Sequence, residues 1–286
     1  SLSSTSIIIA GARDGDRIDI SPQALVGHTR VVGDNDGLDG GEDTIILDQL
    51  PSVTTSHDRP NHDPISGSQV VRDTIDVDGR GGTDTYLINV TGGETNYLVN
   101  VHDTGVPDDG ADTLTINGTS AADVFLLREH FVALLIKTGF DSDNRPTFSN
   151  AVERINYDRT VNGRLLVSSG NGDDEFYVDD NSTITTLDGG IGKDTFQIGQ
   201  IFGTNPNGYF YDFNGQKKWS GDYFDLVGVR SDIDERSVAD DTQNIDLTSD
   251  NDEVALLKVT RGWLSRGISY PLTTTGGEGA DTFTVY

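Results

Sequence analysis

The chain has 286 residues and a formal charge of −27, with 47 acidic against 20 basic residues. Nucleic acid needs clustered Lys and Arg to neutralise its phosphates, and an anionic membrane surface repels the same excess of carboxylates, so the charge argues against both partners. The absence of cysteine rules out disulfides and cysteine-ligated zinc, and no apolar run is long enough for membrane insertion.

The 34 glycines and a hydrophobic share of 34% suit short strands joined by tight turns, with little helix. Ser6-Ile7-Ile8-Ile9-Ala10 reads as a first strand. The stretch 32–43 then sets Asp34, Asp36, Asp39 and Asp43 among glycines. It breaks the EF-hand order at Leu38, yet carboxylates this dense repel unless they are solvated or bound to metal. Residues 51–69, with Pro51, Pro60 and Pro64, read as a long loop insertion. The pair His57-Asp58 and His62-Asp63 inside it reads as solvated loop, since no third histidine is near.

From there a unit recurs in which a glycine turn leads to an acid and then to a period-two strand. It appears at Gly79 to Leu87, at Gly110-Ala111-Asp112-Thr113-Leu114, at Asp123-Val124-Phe125, and at Gly93 to Tyr97 with Asn96 in the acid's place. Leu126 to Ile136 is the most apolar stretch and reads as strands, because its end is β-branched. Residues 139–150 read as a second loop insertion and 203–221 as a third. Asp194, Asp222, Asp252 and Asp281 fall at near-even intervals, which reads as one coil of chain for each.

Two copies are complete, Gly189-Gly190-Ile191-Gly192-Lys193-Asp194-Thr195-Phe196-Gln197 and Gly276-Gly277-Glu278-Gly279-Ala280-Asp281-Thr282-Phe283-Thr284. Both obey G-G-x-G-x-D-x-U-x, with U a large apolar residue, and this resembles the haemolysin-type (repeats-in-toxin) calcium-binding repeat. The resemblance implies Ca2+ as cofactor, with Asp194 and Asp281 as ligands and Gly190, Gly192, Gly277 and Gly279 supplying the bend and carbonyl oxygens. Weaker copies extend this to Asp174 with Gly172 and Asp173, to Asp84 with Gly82, and to Asp112. Calcium takes six to eight oxygen ligands, which glycine turns and carboxylates can converge. Read without metal, the same turns would let Asp cap backbone amides. True arrays of this family repeat back to back; here the copies are scattered over part of the chain.

The expected fold is all-β, a parallel β-helix or β-solenoid with Gly–Asp turns and loop insertions, forming one elongated segment over 1–286 of a larger chain. Tandem β-sandwich modules are the alternative. The expected function is that of a calcium-stabilised structural or adhesive module, extracellular or on a cell surface, assembling with copies of itself or neighbouring modules. Surface glycans are the alternative partner, through Phe202, Tyr209, Phe210, Tyr211, Phe213, Trp219, Tyr223 and Phe224. Asp173-Asp174 offers the paired acids of a polysaccharide lyase or hydrolase. The remaining pectinase-like set is missing, and no Gly-x-Ser-x-Gly elbow or phosphate loop is present, so the sequence is not read as that of an enzyme.

Overall fold

A computed structural model describes residues 7–11, 14–20, 28–34, 40–50, 74–93, 95, 97–105, 110–140, 146–199, 209–211, 217–219, 258–259, 262–263 and 268–285. These residues hold no helix, and their strands alternate between two large sheets. In chain order the first half contributes β1 (Ile7–Ala10), β2 (Arg17–Ile20), β3 (His28–Val32), β4 (Thr44–Asp48), β5 (Thr74–Asp78), β6 (Thr85–Asn89), β7 (Tyr97–His102) and β8 (Thr113–Asn117). A folded-back segment follows, made of β9 (Val124–Arg128), β10 (Phe131–Phe140) and β11 (Pro146–Asn156). The second half adds β12 (Arg164–Ser168), β13 (Glu175–Val178), β14 (Thr185–Asp188), β15 (Ile191–Gly192) and β16 (Thr195–Ile198). After β17 (Tyr209–Tyr211), β18 (Lys217–Trp219), β19 (Lys258–Val259) and β20 (Gly262–Trp263), the chain returns with β21 (Leu272–Thr275), β22 (Glu278–Gly279) and β23 (Thr282–Val285).

The first sheet has the order β1-β3-β5-β7-β11-β10-β9-β13-β16-β23, and the second β2-β4-β6-β8-β12-β14-β21. Every pair in the second sheet is parallel, which is not the antiparallel pairing of a sandwich module. In the first sheet only β10 runs against its neighbours. One strand in each sheet makes a circuit, and successive circuits lie side by side.

Period-two alternation fills the space between the sheets. Tyr86 and Ile88, Leu114 and Ile116, and Leu165 and Val167 point inward from β6, β8 and β12, and all are buried. The U position of the repeat becomes a column of phenylalanines. Phe125, Phe176, Phe196 and Phe283 stack with successive centroid distances of 5.5, 4.8 and 4.7 Å. Offset or parallel ring contacts of this kind add about 0.5–1.5 kcal/mol each to plain burial. A second apolar cluster, built from Val124, Leu126, Phe131, Ala133, Leu135, Phe148 and Val152, belongs to the folded-back segment.

Two expectations are corrected. The stretch 139–150 is largely strand where it is described, since β10 runs on through Gly139 to Phe140 and β11 begins at Pro146; 141–145 lie outside the described residues. The pairing shifts register between Leu135 and Lys137 and again between Lys137 and Gly139, the irregularity of a β-bulge. The even spacing of Asp194, Asp222, Asp252 and Asp281 is not a coil repeat either. β16 pairs directly with β23 in register, so Asp194 and Asp281 sit on neighbouring strands of the first sheet, with no strand of that sheet between them. Residues 51–69 lie outside the described residues, as do Asp222 and Asp252; within 203–221, β17 and β18 pair as a small antiparallel hairpin.

Candidate metal centre

The glycine turns lie where the chain crosses from one sheet to the other, and each repeat Asp directly precedes a strand. Its Oδ1 accepts the backbone N–H of the matching Asp one circuit earlier. Asp16 N–H donates to Asp43 at 2.7 Å, Asp43 to Asp84 at 2.8 Å, and Asp84 to Asp112 at 2.9 Å. Asp112 N–H closes this first ladder on Asn162 Oδ1 at 3.0 Å. A second ladder runs from Asp123 to Asp174 at 2.7 Å, Asp174 to Asp194 at 2.9 Å and Asp194 to Asp281 at 3.1 Å. In return, the first strand residue of the later circuit donates its N–H to the earlier Asp carbonyl, as Thr85 does to Asp43 and Thr282 to Asp194, both at 2.8 Å. Each Asp is therefore one half of a two-way clasp between circuits.

The other carboxylate oxygen explains the first glycine of the motif. Oδ2 of Asp84, Asp194 and Asp281 lies where a Cβ on Gly79, Gly189 or Gly276 would stand, so no side chain fits there. On Asp43, Asp84 and Asp194 this oxygen is buried and has no hydrogen-bond partner. Burial accordingly pushes the Asp43, Asp84, Asp123 and Asp194 carboxyls above the usual carboxylate range. Asp174 is raised to about 6, again chiefly by burial, with the Ser169 hydroxyl working the other way.

The atoms that the resemblance assigns to an ion are partly committed to these clasps. Gly190 O accepts Glu278 N–H and Gly170 O accepts Ile191 N–H, both at 2.8 Å. Gly192 pairs with Gly279 through β15 and β22. Gly277 and Gly190 both take positive φ, +81° and +77°, which glycine allows at no steric cost. Gly172 N–H donates to Ile191 O, and Gly82 O packs against the Cα of Gly110. Asp173 is exposed and accepts Lys193 N–H at 3.0 Å, facing away from buried Asp174. Asp34 is buried and lies 3.4 Å from Gly41 N–H. Asp36 and Asp39, with the His57 to Asp63 stretch, lie outside the described residues.

Three carboxylates do converge. Asp84, Asp103 and Asp112 each present an oxygen within 4.8 Å of the others, and the three residues are only 0%, 8% and 2% exposed. Asp84 comes from the turn before β6, while Asp103 and Asp112 bracket the turn from β7 to β8. Burial is the first cause raising the Asp84 and Asp103 carboxyls, and neighbouring carboxylates add to it. An all-oxygen, acidic, buried set suits a hard cation such as calcium or magnesium rather than a thiophilic metal. The residues present therefore fit the ion that the resemblance implies, and they fit best here rather than at the two complete motif copies. Asp103 follows no glycine motif, so the sequence reading missed it. The signal that identifies it is register, which becomes visible only once the strands are paired. Comparison with protein-family models, with curated proteins and with solved structures finds no match.

Proposed function

We propose that the chain is a β-solenoid with a structural and adhesive role, stabilised by divalent cations and suited to an extracellular or cell-surface setting where calcium is plentiful. The observation that carries this reading is the pair of aspartate ladders, whose members bury a carboxylate oxygen that no N–H or hydroxyl satisfies at Asp43, Asp84 and Asp194. Burying an ionised carboxylate without a partner is costly, and the group takes up a proton or a cation instead. The alternation of strands between two sheets and the phenylalanine column support a scaffold built by stacking circuits. In this reading bound calcium supplies the positive charge, and the chain's own residues supply oxygen donors held in place by clasps between circuits.

Binding to the folded state alone stabilises it by about 2.7 kcal/mol when the ion stands at a hundred times its Kd. A few sites therefore rival the roughly 5–15 kcal/mol that holds an ordinary domain together. Thermal unfolding followed by circular dichroism, in EDTA and then with calcium titrated to millimolar, tests this. The expected result is a saturable rise in Tm with a β spectrum. An identical Tm in EDTA and calcium would reduce the clasps to metal-free backbone geometry.

A further inference from the structure

One turn departs from the repeat, and what it implies rests on the cation-stabilised reading above. Ala10, Val32, Asp78 and His102 are in register across β1, β3, β5 and β7. The residues that follow, Gly11, Gly33, Gly79 and Asp103, therefore hold equivalent places. The first three have no side chain because a carboxylate oxygen of Asp16, Asp43 or Asp84 occupies that space. Asp103 instead brings a third carboxylate beside Asp84 and Asp112.

The backbone parts at the same circuit. Gly11 N–H donates directly to Val32 O at 3.0 Å, and Gly33 N–H to Asp78 O at 2.9 Å. The next bond of this series, from Gly79 to His102, is bridged by a phenol. Gly79 N–H donates to Tyr86 Oη at 2.7 Å, and the hydroxyl lies 3.0 Å from His102 O and 3.1 Å from Asp103 Oδ2. One hydroxyl hydrogen faces two acceptors. On the same side of Gly79 lies Asp84 Oδ2, buried and without a hydrogen-bond partner. Asp103 is meanwhile held in place by Gly105 N–H, which donates to its Oδ1 at 3.1 Å.

We propose that Asp84, Asp103 and Asp112 form a dedicated site for a hard divalent cation, in which Asp103 joins two aspartates of the first ladder, with Tyr86 holding the two circuits apart beside it. Carboxylates this close repel one another, and a cation among them turns that repulsion into attraction. Calcium accepts irregular oxygen sets of variable number, whereas magnesium demands a near-octahedral one, so calcium is the better occupant.

The test is calcium titration by calorimetry on the full chain after EDTA treatment and dialysis, comparing wild type with Asp103→Asn and Asp103→Gly. Asp103→Gly restores the residue type of Gly11, Gly33 and Gly79, and circular dichroism verifies that both variants fold. The expected result is one ion fewer per chain, or a tightest site weakened by at least about tenfold, since even outer-shell changes cost that much. Terbium serves as a second probe, and Tyr86→Phe is expected to remove the tyrosine-sensitised emission of this ion. Unchanged stoichiometry and affinity in both Asp103 variants would overturn the site, and a persisting calcium-dependent rise in Tm would then leave the scaffold reading intact. Conversely, an ion lost in the Asp103 variants with no change in the wild-type Tm would uphold the site and overturn calcium stabilisation of the scaffold.

Discussion

Gly118, Ser169, Gly189 and Gly276 follow register-matched residues of the second sheet and so share one place in the repeat. Ser169 fits there because its hydroxyl donates to Gly189 O at 2.8 Å and stands beside Asp174. A methyl group at Gly189 would meet the Asp194 carboxylate and offer it nothing. Gly189→Ala is therefore expected to cost about 1–3 kcal/mol, the range of an overpacked core, and Gly189→Ser less; chemical denaturation of the two variants checks the order. Asn162 shows that an amide oxygen can serve as a ladder acceptor. In EDTA at neutral pH, Asp194→Asn is accordingly expected to hold or gain stability. Asp194→Ala should lose about 1–3 kcal/mol by orphaning the Asp174 N–H. Glycine and aspartate at these spacings make the turn legible in sequence. They do not show that one carboxylate oxygen is used between circuits, because that contact depends on residues far away in the chain; the other oxygen abuts a glycine only five residues earlier.

At the level of elements, the strands that follow Asp84, Asp112, Asp174, Asp194 and Asp281 were readable, since each is short, alternating and opened by a turn. Their neighbours were not. Asp174 is paired with Asp194 at a separation of 20 residues, but Asp194 is paired with Asp281 at 87. Loop excursions of different length erase the period without disturbing the stacking. The turn between β6 and β7 shows another substitution of means. Asn96 stands where the motif has Asp, and the turn is pinned instead from β11: Thr91 N–H donates to Glu153 Oε2 at 2.8 Å, and Gly92 N–H donates to Oε1. Both carboxylate oxygens act as acceptors, so Glu153→Gln would face one backbone N–H with its own NH2. The expected cost is about 1–3 kcal/mol, readable as a lower denaturation midpoint; an unchanged midpoint would remove Glu153 from this role.

Across the whole molecule the buried carboxylates couple stability to pH. A carboxyl whose pKa is higher folded than unfolded binds its proton more tightly in the folded state. Its contribution is full below the ordinary Asp value of 3.8 and is lost as pH rises through the folded value, about 6 for Asp174. With Asp43, Asp84, Asp123 and Asp194 shifted in the same direction, Tm in EDTA is expected to fall on going from mildly acidic to neutral pH. Calcium should flatten that fall, and a pH series of melts with and without it reads both effects; an EDTA profile that rises towards neutrality would contradict them. The ladders also give the molecule a direction. In all seven ladder bonds the N–H belongs to the earlier circuit and the acceptor to the later one. Deleting the last circuit frees the N–H and carbonyl of Asp194, and deleting the first frees an oxygen of Asp43 and the N–H of Thr44. Each cut strands one backbone N–H, but only the late end loses a side-chain acceptor, so during synthesis each Asp N–H gains its carboxylate partner only when the following circuit has been made.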